Sequence, residues 1–129
     1  TLPPWVHWHG PASPDELRTK WFPYAHGLIS LSRHSEGRPQ VMLEALASGL
    51  PVIASRLPAH DDLLGNCDAG WLCADETEVM AALRALADPA LNRTLGLHGR
   101  VRMHADIGTW DDCAARYVDV YRELMGTGT

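Results

Sequence analysis

Glu36-Gly37-Arg38-Pro39-Gln40-Val41-Met42-Leu43-Glu44 runs straight into Ala45-Leu46-Ala47-Ser48-Gly49-Leu50-Pro51-Val52-Ile53-Ala54-Ser55. Pro39 suits the first position of a helix, where its missing N–H costs nothing. Gly49 signals the end of that helix and Pro51 enforces it. The apolar run Leu50 to Ala54 then reads as a buried strand. A helix followed at once by a buried strand is half of a βαβ unit, and the other half precedes it: Gly27-Leu28-Ile29-Ser30-Leu31 is a second buried strand, joined to the helix by the polar loop Ser32 to Arg38.

The same alternation continues outward. Pro58 to Leu64 reads as a short helix, Trp71-Leu72-Cys73 as a brief strand, and Asp75-Glu76-Thr77-Glu78 as a capping box. The helix it opens carries Val79, Leu83 and Leu86 on one face. Asp88-Pro89 starts a further helix reaching about His104, and Thr109 caps a last one. In that last helix Trp110, Cys113, Tyr117, Val120, Tyr121 and Leu124 recur at helical spacing, which assigns Trp110, Tyr117 and Tyr121, with Trp71, to core or domain packing. Toward the N-terminus, Trp5-Val6-His7-Trp8-His9 alternates as a short strand closed by Gly10-Pro11. Ser13-Pro14-Asp15-Glu16 then caps a helix running to about Trp21, with Pro23 helping to stop it. Strands alternating with helices and no hairpin signals between them predict an α/β fold, a Rossmann-like parallel sheet with helices on both faces.

With 129 residues the chain makes one domain, residues 1–129. Its net charge of -5, with Lys20 the one lysine among eleven basic residues and the arginines scattered, argues against a nucleic-acid surface. No apolar run approaches the ~20 residues that span a bilayer, and Thr1-Leu2-Pro3-Pro4 lacks the features of a signal peptide. Cys67, Cys73 and Cys113 cannot all pair and have no zinc-ribbon spacing, so reduced thiols in a cytoplasmic protein are expected. His7 and His9 share one face of the expected strand, but no third ligand stands nearby in sequence, and no metal site is expected there.

Ligands of doubly wound sheets bind beyond the carboxyl ends of the strands, where the loop Ser32 to Arg38 lies. With Pro39 as first helical residue, the N–H groups of Gln40, Val41 and Met42 have no intrahelical acceptor, and the helix dipole favours an anion there. Gly37 allows close approach to the backbone and Arg38 adds positive charge. Glu44 projects about five residues into the helix, ~7.5 Å along its axis. A ligand made of sugar, diphosphate and ribose fits this order, with Glu36 accepting from hexose hydroxyls and Glu44 from ribose. The spacing alone favours the plainer reading, with Glu36 a solvated loop residue and Glu44 the partner of an arginine. Arg33 and His34 share the site loop, and read as solvated residues.

Glu36-Gly37-x-Pro39 through Leu43-Glu44-Ala45-Leu46-Ala47-x-Gly49-x-Pro51-Val52-Ile53-Ala54-Ser55 resembles the E-x7-E signature of retaining GT-B glycosyltransferases of family 4, the glycosyl transferases group 1. Val6 to Gly10 is similar to the strand before their base-binding loop, Pro58 to Leu63 to their post-strand turn, and Thr109 to Tyr121 to their C-terminal helix. Ala59 and Asp62 stand where members often have glycine and glutamate, and Gln40 where they have an apolar or small residue. The resemblance implies that Glu36 contacts the donor hexose as the catalytic-site carboxylate, that the backbone from Gly37 and Arg38 through Pro39, Gln40 and Val41 holds hexose and phosphate, that Glu44 binds ribose, and that the loop Gly10, Pro11, Ala12 lies by the nucleobase. It implies transfer of a hexose from a nucleoside diphosphate sugar to a hydroxyl with retention, and an N-terminal acceptor domain as partner. It further implies that this chain is the later part of the C-terminal donor domain, catalytically incomplete alone, with apolar strand edges exposed. No Asp-x-Asp pair occurs, so no cofactor and no catalytic metal are expected. Two rivals remain: a nucleotide-sugar epimerase on the same scaffold, and a non-catalytic nucleotide-binding or interaction module.

Overall fold

The computed structural model describes residues 2–34, 37–65 and 68–126. Three short strands, β1 (Leu28–Ser30), β2 (Val52–Ser55) and β3 (Gly70–Cys73), form a sheet in that order. Both pairings are parallel, with Leu28 opposite Val52 and Val52 opposite Gly70. The pleat sends alternate residues of β2 to opposite faces. Val52 and Ala54 pack into one cluster with Met42, Leu46, Leu63 and Met103, whereas Ile53 packs into another with Cys73, Ala82 and Leu86. Helices therefore cover both faces, as expected of a Rossmann-like parallel sheet.

The helix α2 (Gln40–Ala47) buries Met42, Ala45 and Leu46 against the first of these clusters. It ends as the Gly-x-Pro signal indicates. Gly49 adopts φ +79°, its N–H donates to the Leu46 carbonyl, and the Leu50 N–H reaches back to Ala45. These two bonds make a Schellman cap, which turns the chain directly into β2. Gly96 on α5 (Pro89–Arg102) sits hard against the Gly49 carbonyl, where any side chain would collide with backbone. α2 and α5 are thus held at backbone contact beneath the sheet.

The remaining elements follow their caps. Ser13 and Glu16 close a capping box at α1 (Pro14–Glu16), which continues as a wider turn over Leu17–Trp21 and a tight one over Phe22–Tyr24. α3 covers Pro58–Leu64. In α4 (Glu76–Leu86) the Asp75 side chain accepts from the Glu78 N–H, while the Glu78 carboxylate reaches one residue beyond its expected partner, to the Ala74 N–H at 2.7 Å. The Asp88 carboxylate caps α5, whose last residues widen into a turn over Met103–Ile107. Thr109 and Asp112 then cap one another at α6 (Trp110–Gly126), with Thr109 N–H to Asp112 Oδ2 at 2.6 Å and Asp112 N–H to Thr109 Oγ1 at 3.2 Å.

Three expectations are corrected. Trp5 to His9 is not a strand: a turn bonds the Val6 N–H to Pro3, Trp5 and Trp8 are exposed, and the His9 ring lies 4.3 Å from that of Trp21. A strand needs a neighbour to take its ladder bonds, and no described strand lies beside this segment. Pro39 is the residue before the helix and not its first, with extended backbone at φ -71°, ψ 104°. Finally, no residue of α6 is buried, so Trp110, Tyr117 and Tyr121 pack into no core of this chain. Ile29 on the outer strand β1 is also exposed. Among the described residues no helix is long and apolar enough to cross a membrane.

Candidate functional site

Pro39 is buried, which anchors the start of α2. Its carbonyl accepts from the Met42 N–H at 3.1 Å, so two amides rather than three, those of Gln40 and Val41, lack an acceptor among the described residues. A helix start with two uncommitted N–H groups still favours an anion.

One turn further on, Glu44 is exposed, and among the described residues its carboxylate makes neither a hydrogen bond nor an ion pair. The arginine-paired reading of Glu44 therefore finds no partner. Glu44, Gln40 and Arg38 line a common cleft of about 420 Å³ together with Met103, Ile107, Trp110, Cys113 and Arg116. Arg116 is tied back to the turn before α6 by a 2.7 Å bond from Nη2 to the Ile107 carbonyl. A guanidinium has five N–H donors, so most of its hydrogen-bonding capacity remains for a ligand.

Of the residues expected at the site, Arg38, Gln40 and Glu44 come together in this cleft, while Gly37, Pro39 and Val41 flank it without lining it. Gly10, Pro11 and Ala12 do not line it either. Glu36 lies outside the described residues. The rest of the lining was not foreseen: Thr109 is legible as a cap, but nothing local says that the helix it opens shares a cleft with α2.

The carboxyl ends of the strands open into a second cleft of about 680 Å³, bordered by Ser32, Arg33, Ser55, Arg56, Cys73 and Asp75. Burial, reinforced by the negative charge of Glu78, pushes the Cys73 thiol up from its ordinary value. Among the described residues no group of three or more His, Cys, Asp or Glu side chains is placed to hold a metal ion.

Residues 1–88 match the family model for glycosyl transferases group 1. The chain belongs to that family. Its relatives include an MMP alpha-(1->4)-mannosyltransferase from Mycolicibacterium hassiacum, 37% identical over 94 residues, 70% of this chain and 23% of that protein. A D-inositol 3-phosphate glycosyltransferase from Streptomyces bingchenggensis is 32% identical over 123 residues, 93% of this chain and 26% of that protein. Among solved structures, a sucrose-phosphate synthase from Thermosynechococcus elongatus superposes with a TM-score of 0.64 at 33% identity, over 78% of this chain and 26% of that one. The chain spans about a quarter of the length of the relatives it matches. Within this glycosyltransferase family the E-x7-E stretch of this chain, Glu36 to Glu44, falls inside the matched residues.

Proposed function

We propose that this chain is the later part of a C-terminal GT-B donor domain and carries the nucleotide-sugar site of a retaining glycosyltransferase. The observation that supports this best is Glu44: an exposed carboxylate one turn inside a helix, with no partner among the described residues, in a cleft shared with Arg38 and Gln40, where the helix start offers two amides uncommitted among those residues. A carboxylate that accepts two hydroxyl hydrogens suits a ribose, and the helix start suits the diphosphate. Glu36 positions the donor hexose, with Gly37, Arg38, Pro39 and Val41 around it, and the loop Gly10 to Ala12 borders the base.

In the reaction the anomeric carbon exchanges its bond to the diphosphate oxygen for a bond to the acceptor hydroxyl oxygen, on the same face of the sugar, and the hydroxyl proton ends on the departing diphosphate. The fixed dipole of α2 and cationic side chains stabilise charge developing on that leaving group without a metal ion. The acceptor binds a separate N-terminal domain of the complete protein, in the cytoplasm.

The test is Glu44→Ala in the complete protein, titrated with uridine, guanosine and adenosine diphosphates. Loss of two charge-assisted bonds predicts affinity for the preferred nucleotide weaker by about ten- to a hundredfold. An affinity that does not change removes the ribose assignment.

A further inference from the structure

His60 is fully buried, on the first turn of α3, and the donor-site reading leaves it without a task. Its Nδ1 stands 2.8 Å from the Ser55 carbonyl oxygen at the end of β2 and 3.5 Å from the Ser55 hydroxyl. A carbonyl only accepts, so Nδ1 carries the hydrogen and donates it. The Ser55 hydroxyl in turn donates to the Ser32 carbonyl at 2.7 Å. Ser32 is the first residue of the loop that leads to Gly37, Arg38 and the start of α2. Three elements are thereby joined in one line: α3, the carboxyl end of β2, and the root of the site loop.

The chain is short and its geometry specific. Parallel strands end in loops with unpaired backbone groups, and a buried carbonyl left without a donor costs stability. Here the half-buried carbonyl of Ser55 accepts both from the His60 ring and from the Leu57 N–H at 3.0 Å, and that of Ser32 accepts from a hydroxyl whose own backbone lies in the sheet. We propose that His60 and Ser55 are positioning residues for donor transfer: they tie Ser32, the root of the loop that leads to Arg38, to the end of the sheet, and so hold the donor side of the site in one register. This rests on the donor-site reading, because the clamped loop is the one assigned to the hexose.

The experiment compares variants of the complete protein by donor and acceptor KM, kcat, and amide hydrogen exchange of Arg33, His34, Gly37 and Arg38. Ser55→Ala removes the bond to Ser32. It is expected to speed exchange in the loop and to raise donor KM about three- to tenfold, the scale of one lost hydrogen bond, with acceptor KM unmoved. Ser55→Thr keeps the hydroxyl and returns both readouts close to the parent. At His60, Asn carries its amide nitrogen where Nδ1 stands and Gln where Nε2 does. The clamp therefore ranks His60→Asn above His60→Gln in donor KM, whereas a ring that merely fills space ranks Gln, the closer match in volume, above Asn. Loop exchange unchanged in Ser55→Ala, donor KM unchanged, or Gln outperforming Asn overturns the proposal. Glu44→Ala separates the two readings: normal nucleotide affinity there defeats the ribose assignment, while the loop exchange and the order of the His60 variants still decide the clamp.

Discussion

α2 and α6 both carry apolar residues at helical spacing, and they end in opposite environments. On α2, Met42, Ala45 and Leu46 are removed from solvent by β2, α5 and the turn after it. On α6, Trp110 remains 82% exposed, Tyr117 62% and Leu124 67%. The difference does not lie in the pattern, which is as regular on α6 as on α2. It lies in the neighbours. α2 is followed by the central strand and meets Gly96, whose missing side chain lets two backbones touch. α6 is capped at its start by Thr109 and Asp112, and Arg116 ties it to the carbonyl of Ile107 in the turn before it. An amphipathic pattern specifies that a face is to be covered, and the elements around it determine whether this chain covers it.

The comparison breaks most visibly in the core. Met42→Ala should lower unfolding free energy by roughly 2–5 kcal/mol in a denaturant titration, because the fully buried side chain leaves a cavity that backbone-tight packing cannot close. A loss below 1 kcal/mol would mean that α2 is not the packed helix described here.

A smaller effect is expected where α6 begins. The backbone N–H of Thr109, and then its hydroxyl, hold the Asp112 carboxylate below its ordinary value. A carboxyl whose value is lowered on folding stabilises the folded form above the ordinary aspartate range and loses that contribution as pH falls through the lowered value. Acidification should therefore fray the first turn of α6 while leaving the sheet intact, read as a partial loss of helical circular dichroism with unchanged near-ultraviolet signal. Thr109→Ala should move that loss to higher pH, since one of the two bonds that hold Asp112 is gone. No movement of the transition would show that the cap does not govern this helix.

The smallest effect sharpens the contrast. Tyr117→Ser and Tyr121→Ser on this chain remove large apolar side chains that nothing in it buries, so stability should change by no more than about 0.5 kcal/mol. A loss comparable to that of Met42→Ala would place both tyrosines in a packed environment and cancel the distinction between the helices.

Much of this fold is legible residue by residue. Ser13, Asp75, Asp88 and Thr109 each cap the helix they precede, and Gly49 with Pro51 ends α2 and begins β2, because caps and stops depend on atoms within a few residues of one another. Pro39 was displaced by one position because proline tolerates the site before a helix as well as its first residue, and its carbonyl settles the matter by bonding Met42. Trp5 to His9 failed as a strand for a different reason: alternation describes a ribbon able to pair, and pairing requires another strand. The candidate site divides in the same way. Arg38, Gln40 and Glu44 are near neighbours on one helix start, so their grouping follows from the helical repeat.

By itself, then, the sequence determined the alternation of strands and helices beyond residue 10, the caps that open α1, α4, α5 and α6, the stop of α2 and the carboxylate that α2 offers, since all of these are set by short-range sterics and hydrogen bonds. Only the tertiary structure decided that Trp110, Cys113 and Arg116 share a cleft with Glu44, that His60 reaches Ser55 while Ser55 reaches Ser32, and that the aromatic face of α6 lies in solvent. Such meetings depend on how the helices dock over a twisted sheet, where a glycine in the right place lets two backbones touch, and no local pattern encodes that distance.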